Sequence, residues 1–158
     1  ANFICYNEFP KLIDLSLVTN KGLILSKLVP NQNLKYLTLR LENVNDLYVL
    51  LDGLVPNLVD LNVSLHESHM MKRFGLPKSW PRQSMFELKR LQLRTHRNVE
   101  FTFDELSHIV IPLINLNSLI IYIENWVSRN EQFTLQFEQF FCSISTINHI
   151  DMTVKRIR

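Results

Sequence analysis

The stretch NLKYLTLRLENVNDLYVLLDGLVPNLVDLNVSL, Asn33 to Leu65, states one phrase twice: NLKYLTLRL at Asn33 and NLVDLNVSL at Asn57. Within each phrase leucine or valine alternates with a polar residue. That is the two-residue period of a strand with one face buried and one face wet. Between them, VNDLYVLLDGLVP spaces Leu47, Leu50, Leu51 and Leu54 at i, i+3, i+4 and i+7, the stripe of an amphipathic helix. The unit is therefore strand, turn, helix, and then the same strand again.

The L-x-x-L-x-L phrase recurs along the whole chain. Copies begin at Leu12 (LIDLSL), Leu34, Leu58, Leu88 (LKRLQL), Leu116 (LNSLIIYI) and Ile147 (INHIDMTV). Self-similarity at a period of roughly 20–30 residues is the mark of a solenoid. A doubly wound sheet also alternates strands with helices, but helices cover both of its faces and its strands read as unbroken apolar runs. Here LTLRL and LNVSL keep a polar face. The expected fold is α/β, a short leucine-rich-repeat solenoid or horseshoe, with six parallel strands on the inner face and helices on the outer face. A single domain over residues 1–158 is expected, as the length suggests.

The connections carry helix signals. Asn45 is the expected N-cap of the helix before Leu58, and Thr102 with Glu105 reads as a capping box ahead of Leu106, Ile109, Val110 and Leu113. EQFTLQFEQFFCSI aligns Phe133, Phe137, Phe140, Phe141 and Ile144, and KGLILSKLVP over 21–30 is long enough for two turns. Pro30, Pro56 and Pro112 fall where helices must end. Residues 66–86 break the pattern: with Gly75, Pro77 and Pro81 they read as an irregular basic loop in place of a helix.

Charge is uneven. Between His66 and Asn98 eight Lys/Arg face Glu67 and Glu87, a balance of +6; the net charge of +2 leaves −4 for the rest. The middle of the chain thus carries a field that draws acidic partners. Cys5 and Cys142 lie about five strand spacings, roughly 24 Å, apart if the copies stack in order. A disulfide needs Cα atoms within about 7 Å, so both are expected to be free thiols, which suits an intracellular protein. No apolar run approaches a membrane span. Only KRIR follows the last strand and only ANFICYNEFPK precedes the first copy, so a fragment of a longer chain is expected.

The copies FPKLIDLSLVTN, VPNLVDLNVSL and MFELKRLQLRTH resemble the irregular leucine-rich repeats of F-box/leucine-rich-repeat proteins, over about Phe9 to Val154. The asparagine usual after the strand in such repeats appears once, as Asn20; Glu42, His66, His96, Glu124 and Lys155 take its place elsewhere. The resemblance implies the substrate-capturing part of a ubiquitin-ligase adaptor. Contact with the ligase scaffold would then need an N-terminal part, because no F-box fits in the residues before Leu12.

No chemistry-bearing motif emerges. Three glycines, Gly22, Gly53 and Gly75, leave no phosphate-cradling loop, and there is no G-x-S-x-G. Asp104 and Glu105 suit the start of a helix. His66 and His69 are spaced H-x-x-H, but no further ligand lies near, so no metal site is expected. No enzyme activity and no cofactor is expected. Arg90, Arg94, Trp80 and Phe86 support a nucleic-acid-binding module on residues 66–98 as the rival reading, although no recognition motif accompanies them.

The polar strand face is the preferred site. Positions three, five and seven of each copy point away from the core and stack across the sheet. The residues expected to bind are Tyr36, Arg40, Asp60, Asn62, Arg90, Gln92, Arg94, Ile120 and Tyr122. Solvated sheet faces need polar residues, but an outward Ile120 beside Tyr122 is better explained by an interface. The expected partner is a protein offering an acidic segment, met around Arg40, Arg90, Arg94, Tyr36 and Tyr122.

Overall fold

The computed structural model describes residues 11–19, 31–66, 85–126 and 133–155 of the 158. It is an α/β protein with one parallel sheet, its six strands lying side by side in chain order. These are β1 (Asp14–Leu17), β2 (Tyr36–Leu41), β3 (Asp60–Leu65), β4 (Arg90–Thr95), β5 (Ser118–Ile123) and β6 (His149–Val154). The described helices are α1 (Val44–Val49), α2 (Phe103–Val110) and α3 (Phe133–Ser143). The helix expected over 21–30, the interior of the loop 66–86, and Cys5, Asn20, His69 and Trp80 lie outside the described residues. No helix among the described residues is long and apolar enough to cross a membrane.

The register follows the sequence copies without slippage. Asp14, Tyr36, Asp60, Arg90, Ser118 and His149 form one row across the sheet. A shift of one residue would turn every leucine of a strand to solvent, and that penalty fixes the pairing. On the core side Leu37, Leu61, Leu91 and Leu119 stack at 2% exposure or less, in one cluster with Leu47, Leu106 and Ile109 from the connections. Fully burying a leucine contributes about 1.5–3 kcal/mol, so these rows dominate the stability. At β6 the same layer thins. Ile150, Met152 and Val154 are half-buried, whereas their β5 neighbours Leu119, Ile121 and Ile123 are buried.

The repeat reaches further back than the L-x-x-L-x-L phrase. Three residues before each of the last five copies stand Asn31, Val55, Met85, Leu113 and Ile144, all buried. In four of these copies the residue's carbonyl closes a tight turn into the strand: Val55 to Leu58 N–H (3.1 Å), Met85 to Leu88 (3.2 Å), Leu113 to Leu116 (3.0 Å) and Ile144 to Ile147 (3.0 Å). In the second copy the side chain does this work: Asn31 Oδ1 accepts from the N–H groups of Asn33 (2.9 Å) and Leu34 (3.2 Å). A polar residue thus occupies an apolar row because its amide imitates a backbone carbonyl.

The helix caps divide. Asn43, not Asn45, caps α1: its Oδ1 accepts from Asp46 N–H at 2.9 Å, while Asn45 already lies one residue inside the helix. The cap must sit three residues before the amide it satisfies, and Asn43 has that spacing. Beyond Val49 the chain widens into a π-type turn, Leu50–Leu54, that ends where Gly53 takes φ 86°, a conformation glycine adopts without strain. Leu47, Leu50, Leu51 and Leu54 are all buried despite this break. In α2 the expected capping box is present: Thr102 Oγ1 accepts from Glu105 N–H (3.2 Å) and Glu105 Oε2 from Thr102 N–H (2.9 Å). Thr102→Ala is expected to lower the unfolding free energy by about 1 kcal/mol, read as a shifted urea midpoint with unchanged slope.

A second aromatic layer joins α2 and α3. Phe101, fully buried, forms an isolated parallel bridge with Trp126. Phe103 sets its ring edge-on to Trp126 at 4.3 Å and to Phe137 of α3 at 5.9 Å. Cys142 on α3 is a free, exposed thiol.

Candidate functional site

The face opposite the core is polar and open. Every residue at positions three, five and seven of the six copies, Val18 included, is exposed or half-buried, while the intervening residues of β2 to β5 are buried. Neighbouring strands in a sheet lie about 4.8 Å apart, so each row is a line of closely spaced side chains.

The nine expected residues fall into three bands. At the strand-start end, Tyr36 stands beside Asp60 and Asp60 beside Arg90. Tyr36 is 46% exposed, a large surface for an aromatic ring. Arg90 and Asp60 approach to 3.6 Å, with side chains 50% and 31% exposed. This pair is worth little in stability, but it cancels the charge of Arg90 locally. Across the middle run Asn62, Gln92 and Ile120, all half-buried. At the strand-exit end lie Arg40, Arg94 and Tyr122. The positive character expected of Arg90 and Arg94 together therefore shifts toward Arg40 and Arg94.

Arg40 donates from Nη1 to the Thr19 carbonyl at 3.0 Å, which ties it across β1. Its Nε is buried and has no hydrogen-bond partner among the described residues. Arg94 places its guanidinium 5.3 Å from the centroid of the Tyr122 ring, and the ammonium of Lys155 stands at the same distance. Such contacts fix long cationic side chains against an aromatic face. A hydrogen bond with Tyr122 is also the chief reason that the Lys155 ammonium holds its proton more tightly than usual.

Sequence reasoning missed the residues just past the strands. His66 and His96 occupy the ninth position of consecutive copies, and their rings meet edge to face at 4.7 Å. Their amides continue the sheet ladder, His66 N–H to Leu41 O (2.9 Å) and His96 N–H to Leu65 O (3.1 Å). His96 has its pKa below the usual 6.5, first because it is partly buried, then because His66 and Arg40 are nearby; Glu124 opposes this and Arg94 adds to it. Glu124 turns its Oε2 to the Arg97 N–H at 2.9 Å, and its own N–H donates to Thr95 Oγ1 at 3.3 Å, the one polar side chain in the eighth-position core row. The signal was present in the sequence: two histidines at equal position in adjacent copies must be neighbours in space.

Asparagines stitch the opposite end. Asn57 Nδ2 donates to Gln32 O at 2.7 Å and Asn115 Nδ2 to Phe86 O at 3.0 Å, each reaching back one copy. Lys11, Ile13, Lys35, Asn57, Val59 and Glu87 border a groove of about 660 Å³ at this edge, remote from Arg40 and Arg94 along the strands. Among the described residues no group of three or more His, Cys, Asp and Glu side chains converges as metal ligands would.

Comparison with protein-family models, with curated proteins and with solved structures finds no match.

Proposed function

We propose that the chain is a short leucine-rich solenoid, a horseshoe with strands inside and helices outside, that acts as a non-enzymatic protein-interaction module through its strand face. The observation that supports this reading most is the asymmetry of the sheet. One face is a continuous apolar core; the other presents register-stacked arginines, amides and tyrosines to solvent. Arg and Tyr are the side chains that most often carry binding energy, and a rigid sheet holds them at little entropic cost. The preferred partner is a protein segment with acidic residues, drawn by Arg40, Arg94 and Lys155. The resemblance of the repeats to those of F-box/leucine-rich-repeat proteins supports a role in substrate capture for a ubiquitin ligase, with the scaffold held by residues beyond this chain. The free thiol of Cys142 supports an intracellular location.

The test compares faces. Tyr36→Ala with Ile120→Asp on the strand face is expected to weaken the captured protein by about 30-fold or more, as loss of interface anchors does. Glu138→Ala, on the exposed side of α3, is expected to stay within about twofold. Equal effects from both faces would move the site off the sheet. Sequence-selective oligonucleotide binding that withstands added salt would favour the nucleic-acid reading instead.

A further inference from the structure

We infer that Arg40, Ser64 and Arg94, with His66 and His96 behind them, form a site for one phosphate monoester carried on a side chain of the partner protein. The inference rests on the protein-binding reading above and names the group recognised.

The geometry comes from the register. Arg40, Ser64 and Arg94 are consecutive in one row across β2, β3 and β4. The two arginines are therefore separated by two strand spacings, roughly 9.6 Å between backbones. Between them stands the smallest hydroxyl side chain, half-buried, so the floor of the gap is low and polar. Two residues further along their strands, His66 and His96 close the end of the gap with their ring contact. Among the described residues Arg40 is held by the Thr19 carbonyl and Arg94 by the Tyr122 ring. The nearby carboxylate of Glu124 is engaged with the Arg97 amide. Arg40 Nε and His66 Nδ1 are buried polar atoms with no hydrogen-bond partner among the described residues.

Charge selects the ligand. Two guanidinium groups are always protonated, and they match a phosphate monoester, which carries about −1.5 to −2 at neutral pH and offers three acceptor oxygens. A phosphate monoester offers three acceptor oxygens to the two guanidinium groups, where a carboxylate offers two. His96 holds its proton less tightly than usual first because it is partly buried, then because His66 and Arg40 lie nearby, with Arg94 adding to this and Glu124 opposing it, so both arginines act at the ring that borders the gap.

The test is an NMR titration of the His66 and His96 ring protons in the whole chain. N-acetyl-phosphoserine methylamide is expected to give a saturable shift and to raise the pKa of His96. The aspartate analogue is expected to bind about tenfold more weakly, and the unmodified serine analogue and sodium chloride at equal ionic strength to give no saturable shift. Arg40→Ala with Arg94→Ala is expected to weaken binding by about tenfold or more, and Lys89→Ala, exposed at the far end of β4, by less than about twofold. If the double variant does not fold, Ser64→Asp supplies the second test: an anion built into the gap should raise the His96 pKa and abolish phosphoserine binding. A shift matched by chloride, or unchanged in Ser64→Asp, overturns the site. A mixed-sequence oligonucleotide binding more tightly than phosphoserine overturns the choice of partner. Loss of the phosphate site while Tyr36 and Ile120 variants still abolish capture would leave the binding face standing; the converse would leave an anion site without that role.

Discussion

Leu93→Ala is expected to lower the unfolding free energy by about 3 to 5 kcal/mol, a large share of the 5–15 kcal/mol that holds an ordinary domain. Leu93 is fully buried inside the row Leu17, Leu39, Val63, Leu93, Ile121 and Met152. Its neighbours on both sides are held by strand hydrogen bonds, so they cannot collapse into the space that a lost isobutyl group leaves. The residual cavity therefore adds to the lost transfer energy. Met152→Ala in the same row is expected to cost only about 1 to 2 kcal/mol, because that side chain is half-buried and its removal opens no enclosed space. Urea unfolding of both variants, with equal slopes, checks the contrast. Equal losses at the two positions would mean that β6 is packed as tightly as β4, contrary to the thinning of the core described there.

The second large effect is expected at Phe101. Phe101→Ala should cost about 3 to 5 kcal/mol. The ring is fully buried, and the backbone around it is held by the bridge to Trp126 and by the Phe101 N–H to Asn125 O bond at 3.2 Å. Its loss should loosen the seam where Phe103, Trp126 and Phe137 join α2 to α3. Amide hydrogen exchange is expected to speed up in α2 and α3 before it does so in β2 and β3. Phe101→Leu, which keeps most of the volume, should retain most of the stability. Uniform acceleration across the sheet would show that Phe101 supports the strands as much as it supports the seam between α2 and α3.

The strands were legible because their signal is redundant. Six copies with period-two alternation leave one register that buries all the leucines, and the pairing from Asp14 to His149 follows it residue for residue. The capping box at Thr102 was legible for a similar reason, since both partners are local. What escaped depends on single atoms or on distant contacts. Asn43 and Asn45 are equally good caps by type, and only the distance to the Asp46 amide separates them. Asn31 breaks an otherwise apolar row, which hid the row itself. Phe101 and Trp126 stand far apart in the chain, on opposite sides of β5, and share no motif. At the strand face, alternation gives which side chains point outward but not how they pair. Hence Arg90 counted as a free charge until Asp60 was placed beside it, and His66 and His96, noted as residues that replace an asparagine after the strand, became a ring pair once the register was known.

The constant register across unequal connections separates the address of a strand from the route by which the chain arrives there. Successive strand starts are closest between Asp14 and Tyr36 and furthest apart in the chain between Ser118 and His149, yet no pairing is offset. Lengthening a connection from the shortest to the longest of these costs only about 0.3 kcal/mol in loop-closure entropy. A slipped strand would forfeit several buried leucines. Each strand is thus a cassette: its outward residues can be exchanged, and its connector lengthened or shortened, without re-aiming its neighbours. A transplanted strand that keeps the inward leucines should dock at the same address and bring its own outward side chains to the shared face.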